Sequence, residues 1–375
     1  VKKPASEKAM RVRDVCAVID ELAPPALAYS WDRVGLHTGH PEAEVAGVVV
    51  ALTVSEESLK LAKRRRAQMI VAHHPLIWEP LTSLRRDDPH AALCLNIAEA
   101  GLACYSAHTN LDVIPGGVSY RLADALGLEE VRPLLPVRHA QMVKLVTFVP
   151  ARHLEAVRAA VCEAGAGHIG DYAYCTFSTP GMGTFRPGEL TDPFSGRKGV
   201  LNEEPELRFE TLVPKARLGE VLRVMVKAHP YEEPAYDIVT LENRDPDVGL
   251  GARGRLKPPV SLGEFAKEVR SRLDAQHVRV LGDPARKVKR VGVIGGSGGG
   301  QLNEVPRDVD VVVTGDVKYH EGLDAGRGGM AVIDAGHETT ERAIVPVLVD
   351  YLRKRCKGLR VYACEEPQLF RAITK

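Results

Sequence analysis

The sequence predicts an α/β protein in which two α/β halves form one body, interrupted by an inserted domain of the ferredoxin-like β-α-β-β-α-β kind. Three observations predict it. The first third alternates β-branched apolar runs with segments of helical period, the last third does the same, and an internal repeat with its own strand–helix–strand order lies between them. The expected boundaries are 1–132 for the first half of the body, 137–245 for the insert and 250–375 for the second half.

In the first half, Val12, Val15, Cys16, Ile19 and Leu22 recur at helical spacing, and Pro24–Pro25 ends that helix. Val45–Leu52 is a β-branched run suited to a buried strand. Ser55 is a candidate N-cap for "EESLKLAKRRR", with Glu56 and Glu57 opposing the helix dipole; Ser58 stands where a full capping box has Glu or Gln. The strand "QMIVA" runs into His73, His74 and Pro75, a helix follows over Pro89–Ala100, and the strand "GLACYSAH" ends at His108. Such alternation predicts a parallel sheet with helical crossovers, which binds ligands beyond the carboxyl ends of its strands.

The second half repeats the logic. "VKRVGVIGG" enters the glycine-rich turn "GGSGGG", "VDVVVTGD" ends at Asp316 and "GMAVIDAGH" ends at His337. "ETTERAIVPVLVDYLRKRC" then reads as one amphipathic helix. Around Val131–Arg138 and at "ENRDPDVGLGARG" the chain reads as linker. Between them Pro150 matches Pro214, Leu154 matches Leu218, Val157 matches Val221 and Tyr172 matches Tyr236, each pair 64 apart (214 − 150). One offset through strand, turn, helix and strand implies two similar β-α-β units.

Composition narrows the function. Hydrophobic residues make up 45% and charged residues 26%, as in globular proteins, and the formal charge of +1 offers no field for nucleic acid or anionic membranes. No apolar run is long enough to span a bilayer, and "VKKPASEKAM" lacks the apolar stretch of a signal peptide. The seven scattered cysteines contain no C-x-x-C pair, which argues against a disulfide framework or thiolate zinc site. A reducing cytoplasm is the expected compartment.

The histidines are more informative. Adjacent strand residues point to opposite faces, so His73 and His74 cannot share one core pocket. His108 and Asp112, like His337 and Glu341, are four apart and share a face of a helical turn. Each group alone could equally be solvent-facing: adjacent histidines on a loop, or a charge pair at an exposed helix start. All three groups, however, begin where an apolar strand ends. Four imidazoles and two carboxylates exceed the needs of one tetrahedral ion and suit two, with zinc or iron first and manganese or cobalt also compatible.

The segments "SWDRVGL", "AHHPLIW", "SAHTNLDV", "GGSG", "TGDVKYHE" and "DAGHETTE" resemble the signature segments of the Nif-three-like dinuclear metal-centre family, whose members are named as GTP cyclohydrolase type 2 homologues. The resemblance covers nearly the whole chain, and "GMGTFRPGE" with "HPYEEPAYDI" is similar to the PII/CutA-like insertion of its longer members. It implies His73, His74, His108, Asp112, His337 and Glu341 as metal ligands, a homohexamer, and hydrolysis of a purine nucleotide. It also draws His320 toward the site as a catalytic proton carrier or substrate contact. Arg33 stands where the family commonly has Asn. The competing class is a metal-binding regulatory protein whose insert senses a small molecule.

The remaining motifs carry less. "GGSGGG" fits no G-x-G-x-x-G register and lacks a following Gly-Lys-Ser/Thr, so a dinucleotide or Walker site is not expected. Trp31 and Trp78 read as packing residues, "HPYEEP" as a turn, and Lys63–Arg66 as a solvated helix end.

Overall fold

The computed structural model describes residues 9–371 and 373; the N-terminal segment read for a targeting signal lies almost wholly outside them. The chain divides into two compact units, residues 1–137 with 246–375, and residues 138–245.

The first unit holds two sheets. One has the order β1-β4-β3-β2-β15, formed by β1 (Gly35–Thr38), β2 (Gly47–Ala51), β3 (Met69–Ala72), β4 (Ala103–Ser106) and β15 (Arg360–Ala363). It is parallel except for β1, which pairs antiparallel to β4. Every residue of β2, β3 and β4 is buried, as expected of strands covered on both faces. Helices α2 (Glu56–Arg65) and α3 (Pro89–Glu99) place Leu59, Ala62, Cys94 and Ile97 in the core over one face. Helix α1 (Val12–Leu22) stops just before Pro24 and Pro25. The Ser55 hydroxyl accepts from the Ser58 backbone, and the Ser58 hydroxyl accepts from the Ser55 backbone at 2.9 Å. A reciprocal box therefore forms with serine in the place of Glu or Gln.

The second sheet has the order β11-β14-β13-β12-β10-β5. Its strands are β5 (Glu129–Pro136), β10 (Gly249–Ser261), β11 (Arg279–Leu281), β12 (Lys287–Ser297), β13 (Val311–Gly315) and β14 (Ala331–Asp334). Strands β12, β13 and β14 are parallel, and antiparallel strands flank them on both sides. Helices α5 (Val118–Ala125) and α8 (Leu262–Arg272) cover one face with Leu122, Leu262, Phe265 and Val269, and α9 (Tyr319–Arg327) contributes Ala325 to the other.

Three expectations are corrected here. Val131–Arg138 is not a linker: most of it lies in β5, an edge strand paired only with β10. Its prolines misled, because an edge strand tolerates missing N–H donors on its open side. "ENRDPDVGLGARG" likewise falls largely within β9 (Tyr236–Arg244) and β10. The long C-terminal helix is broken into α10 (His337–Glu341) and α11 (Ile344–Arg355). Pro346 supplies no N–H to the preceding turn and is confined to the first turn of the new helix.

The second unit contains β6 (Gln141–Val149), α6 (Leu154–Glu163), β7 (Thr176–Phe185), β8 (Asn202–Pro214), α7 (Leu218–Ala228) and β9, with an antiparallel sheet in the order β7-β8-β6-β9. Pro150 and Pro214 each precede a short 3-10 turn and then a helix starting at Leu154 or Leu218. Val157 and Val221, and next Val161 and Met225, are fully buried in one core. The repeat therefore keeps its register through the helices. Tyr172 breaks it, lying in a turn bridged to Ile169 ahead of β7, whereas Tyr236 opens β9.

Pro136 pairs with Gly249 and Leu135 with Leu250, so the second unit interrupts a hairpin of the first. The ends left by its removal are already strand neighbours, and a short hairpin loop can join them. Replacing 138–245 by a Gly/Asn turn is expected to leave a cooperatively melting body that still binds metal. Thermal melting followed by circular dichroism, with metal analysis of the product, checks this; a truncated chain that only aggregates contradicts it.

Candidate metal centre

The site is built where strands end. His73 and His74 directly follow β3, and their backbone N–H groups donate to Ala51 and Leu52, which continues the pairing with β2. His108 precedes α4 (Thr109–Asp112), whose single turn carries Asp112. His337 opens α10 and Glu341 closes it. The structure thus places all six sequence-selected ligands in the first unit, drawn from both halves of the chain.

Their ring nitrogens are sorted. His73 Nδ1 donates to the Ala107 carbonyl at 2.9 Å, His108 Nδ1 to Asp32 Oδ1 at 2.8 Å, and His337 Nδ1 to Asp316 Oδ2 at 2.8 Å. Carbonyl and carboxylate oxygens only accept, so these three rings carry a proton on Nδ1 and leave Nε2 for the site. His74 Nδ1 meets Thr53 Oγ1 at 2.8 Å. Ligating histidines are oriented by outer partners in this manner.

The free faces converge. Ligand atoms of His73, His74 and His108 lie within 4.8 Å of one another, as do those of His74, His337 and Glu341. His74 belongs to both groups. Glu341, 3% exposed, lies 3.0 Å from His74 Nε2, 3.2 Å from His337 Nε2 and 3.7 Å from His73 Nε2. Asp112 Oδ1 is 3.6 Å from His73 Nε2. Both of these last atoms are buried without a hydrogen-bond partner. A donor set of imidazole nitrogens and carboxylate oxygens with orphaned atoms facing each other fits a divalent transition ion.

Glycine makes room. A side chain on Gly296 (φ +68°) would put its Cβ 2.1 Å from Glu341 Oε1, and one on Gly315 would meet the His337 backbone nitrogen at 2.6 Å. The "GGSGGG" turn therefore brings backbone against Glu341.

Charge follows from the geometry. Burial opposes protonation of His73, but the Asp112 and Glu341 carboxylates outweigh it and raise the ring to about 9. The hydrogen bond to Glu341, against burial and with help from Asp316, raises His337 to about 9. Burial raises Asp112 to about 6 despite His73. Burial would also raise Asp32, but bonds from His108 and Thr109 prevail and hold it at about 2. Burial lowers His74.

Other expectations fare differently. His320 is exposed in the first turn of α9, its ring 5.2 Å from Tyr319. Trp31 and Trp78 are corrected from packing residues: they are 54% and 44% exposed, and they stand beside His108 with ring centroids 6.5 and 5.5 Å away. Sequence reasoning did not assign Asp32, Thr53 or the Ala107 carbonyl to this site, and it saw Asp316 only as a polar strand end. The signal for Asp32 was its place inside the quoted "SWDRVGL".

Fold and site together define an α/β protein with a buried histidine–carboxylate centre of the metal-binding kind. The family model for Duf34/NIF3 (NGG1p interacting factor 3) matches residues 10–368, and the chain belongs to that family. It is 41% identical over 324 residues to a protein of Halalkalibacterium halodurans, covering 86% of this chain and 87% of that one. A Bacillus subtilis protein is 40% identical over 331 residues, covering 88% and 89%. Both bear the name GTP cyclohydrolase 1 type 2 homolog. The crystal structure of a Bacillus cereus protein related to NIF3 superposes with a TM-score of 0.86 at 36% identity, covering 98% of this chain and 100% of that one.

Because metal takes neutral imidazole, protons on His73 and His337 must leave as it binds. Both rings hold their protons below about pH 9, so apparent affinity is expected to climb with pH until about 9 and then level off. Calorimetric zinc titrations at pH 7 in buffers of different ionisation enthalpy should register net proton release; a buffer-independent heat contradicts the assignment. Asp316→Asn, which keeps a residue tolerant of the φ of +54° there, should weaken zinc binding by about tenfold or more in a chelator competition, with the melting curve little changed.

Proposed function

We propose that this chain is a dinuclear metal-dependent hydrolase acting on a purine nucleotide, in the manner of a GTP cyclohydrolase type 2-like enzyme. The observation that carries the reading is the convergence of four Nδ1-tethered imidazoles with the buried Glu341 carboxylate and the partly buried Asp112 carboxylate, the orphaned His73 Nε2 and Asp112 Oδ1 among them. In this reading His73, His74, His108, Asp112, His337 and Glu341 hold two divalent ions, zinc or iron. Such ions supply Lewis-acid polarisation and acidify bound water. Glu341 stands within reach of imidazoles from both groups and can serve both positions. In the overall reaction one water adds at the purine C8 and the imidazole ring opens to a formamide, and a second water cleaves that formamide to release formate and leave the free amine. Asp112 and Glu341 provide the negative charge that holds the ions. Asp32 and Asp316 keep His108 and His337 turned toward the centre. His320, four residues beyond Asp316, is proposed as a proton carrier or substrate contact at the edge of the site.

We further read residues 138–245 as a PII/CutA-like domain of the ferredoxin type, a reading supported by its β-α-β-β-α-β element order and the sheet order β7-β8-β6-β9. The proposed assembly is a cytoplasmic homohexamer. One observation favours the alternative regulatory reading: the second unit contains a cavity of about 620 Å³, lined by Phe148, Phe185, Phe194, Tyr231, Glu206 and Arg208 among others. Its size and mixed lining suit a small-molecule effector.

The test is formate release from GTP by metal-loaded protein. Glu341→Gln removes a ligand charge at nearly constant volume and is expected to lower the rate by about 10² or more. Release that persists at full rate after metal removal would place the chemistry elsewhere. No release with zinc, iron, manganese or cobalt would favour the regulatory reading.

A further inference from the structure

The chain contains two tryptophans, and both stand at the histidine–carboxylate cluster. Each is about half exposed, a large apolar area to leave in water beside a polar centre. Each is also wired to that centre. Trp31 is followed by Asp32, which orients His108, and Trp78 follows His74 by four residues. The segment carrying Trp31 is pinned on both sides, since the Tyr29 backbone donates to Thr109 Oγ1 at 3.1 Å and the Thr109 backbone donates to Asp32 at 2.9 Å. Tyr29 stacks on Trp31 at 5.6 Å and 13°, which fixes the indole plane. Trp78 meets Trp31 at 5.7 Å and 58° and stands edge-on to His108 at 82°. The two indoles form a rigid corner at the His108 side of the cluster.

We propose that Trp31 and Trp78 form a stacking corner that binds a planar heteroaromatic ring and presents it to the adjacent histidine–carboxylate cluster. Indole faces stack on any such ring through area burial and π-system alignment, with little demand on its hydrogen-bonding edge. The corner selects for ring-bearing substrates as a class, and ligands that consist of sugar or phosphate alone gain nothing from it. That the ring is the base end of the substrate rests on the hydrolase reading; that a ring binds here does not.

Because no other tryptophan exists in the chain, intrinsic tryptophan fluorescence reports on this corner alone. Zinc-loaded full-length protein is titrated with guanosine and GMP, and with ribose 5-phosphate and inorganic phosphate as ringless controls. The ring-bearing pair should quench the emission saturably, and the controls should not. Trp78→Leu, read through the remaining Trp31 and by calorimetry, should weaken guanosine binding by about tenfold to a hundredfold, whereas Trp78→Phe should recover most of it. Zinc content should match wild type in both variants, which separates loss of stacking from loss of the centre. Equal binding of ringless and ring-bearing compounds, no binding of either ring compound, or unchanged affinity in Trp78→Leu overturns the proposal. Saturable guanosine binding without formate release from GTP would retain the corner and remove the hydrolase reading; formate release unaffected by Trp78→Leu in both KM and kcat would do the reverse.

Discussion

The structure depends on one buried carboxylate. Glu341 is almost wholly removed from water, and an ionised carboxylate in that position is tolerated only with partners around it. Removing one member of a buried charge pair costs about 3–5 kcal/mol, far more than a surface pair contributes. Glu341 finds its partners in His337 on its own helical turn and in His73 and His74 from the other half of the chain. Against burial, these imidazoles hold its pKa well below the usual carboxylate range. The two halves must therefore meet at this point. The path of the chain agrees with that demand: β15 returns to pair with β2 in the first sheet, and β5 crosses to the edge of the second.

The same constraint sets the charge of the histidines around Glu341. His337 donates from Nδ1 to Asp316 and lies within hydrogen-bond distance of Glu341 through Nε2, so in this arrangement it is an imidazolium. His73 is likewise raised by the Asp112 and Glu341 carboxylates. Positive charge on these two imidazoles offsets the negative charge of the Asp112 and Glu341 carboxylates.

Much of this was legible in the sequence, for physical reasons that differ by element. His73, His74 and His337 were readable because β-branched runs announce buried strands and the histidines stop them, and His108 because it stops the short apolar run "GLACYSA" in the same way. The pairs His108/Asp112 and His337/Glu341 were readable because helical turns bring i and i+4 together. What was not legible comes from long-range contact. Asp32 reaches His108 across 76 residues, and Thr53 reaches His74 across 21. Neither carries a local signal beyond that of a polar loop residue. β5 was missed because its prolines imitate a linker, and the break before α11 was missed because hydrophobic periodicity ran on through Pro346. The tryptophans failed differently: their size argued for a core, and only their exposure in the structure shows that they line an open face.

The insert poses the complementary problem. Its repeat was readable because two helices carry the same buried positions, Val157 with Val221 and Val161 with Met225 at one offset. Its role is less constrained than that of the body, because nothing in a hydrophobic core specifies a ligand. What distinguishes it is where it enters the chain. A unit inserted between paired residues of β5 and β10 leaves the hairpin register of the body undisturbed. Its cavity is lined wholly by its own residues, and the six residues of the candidate centre all belong to the other unit. The chain thus keeps its cluster of buried charge in one unit and its cavity of aromatic and polar side chains in the other.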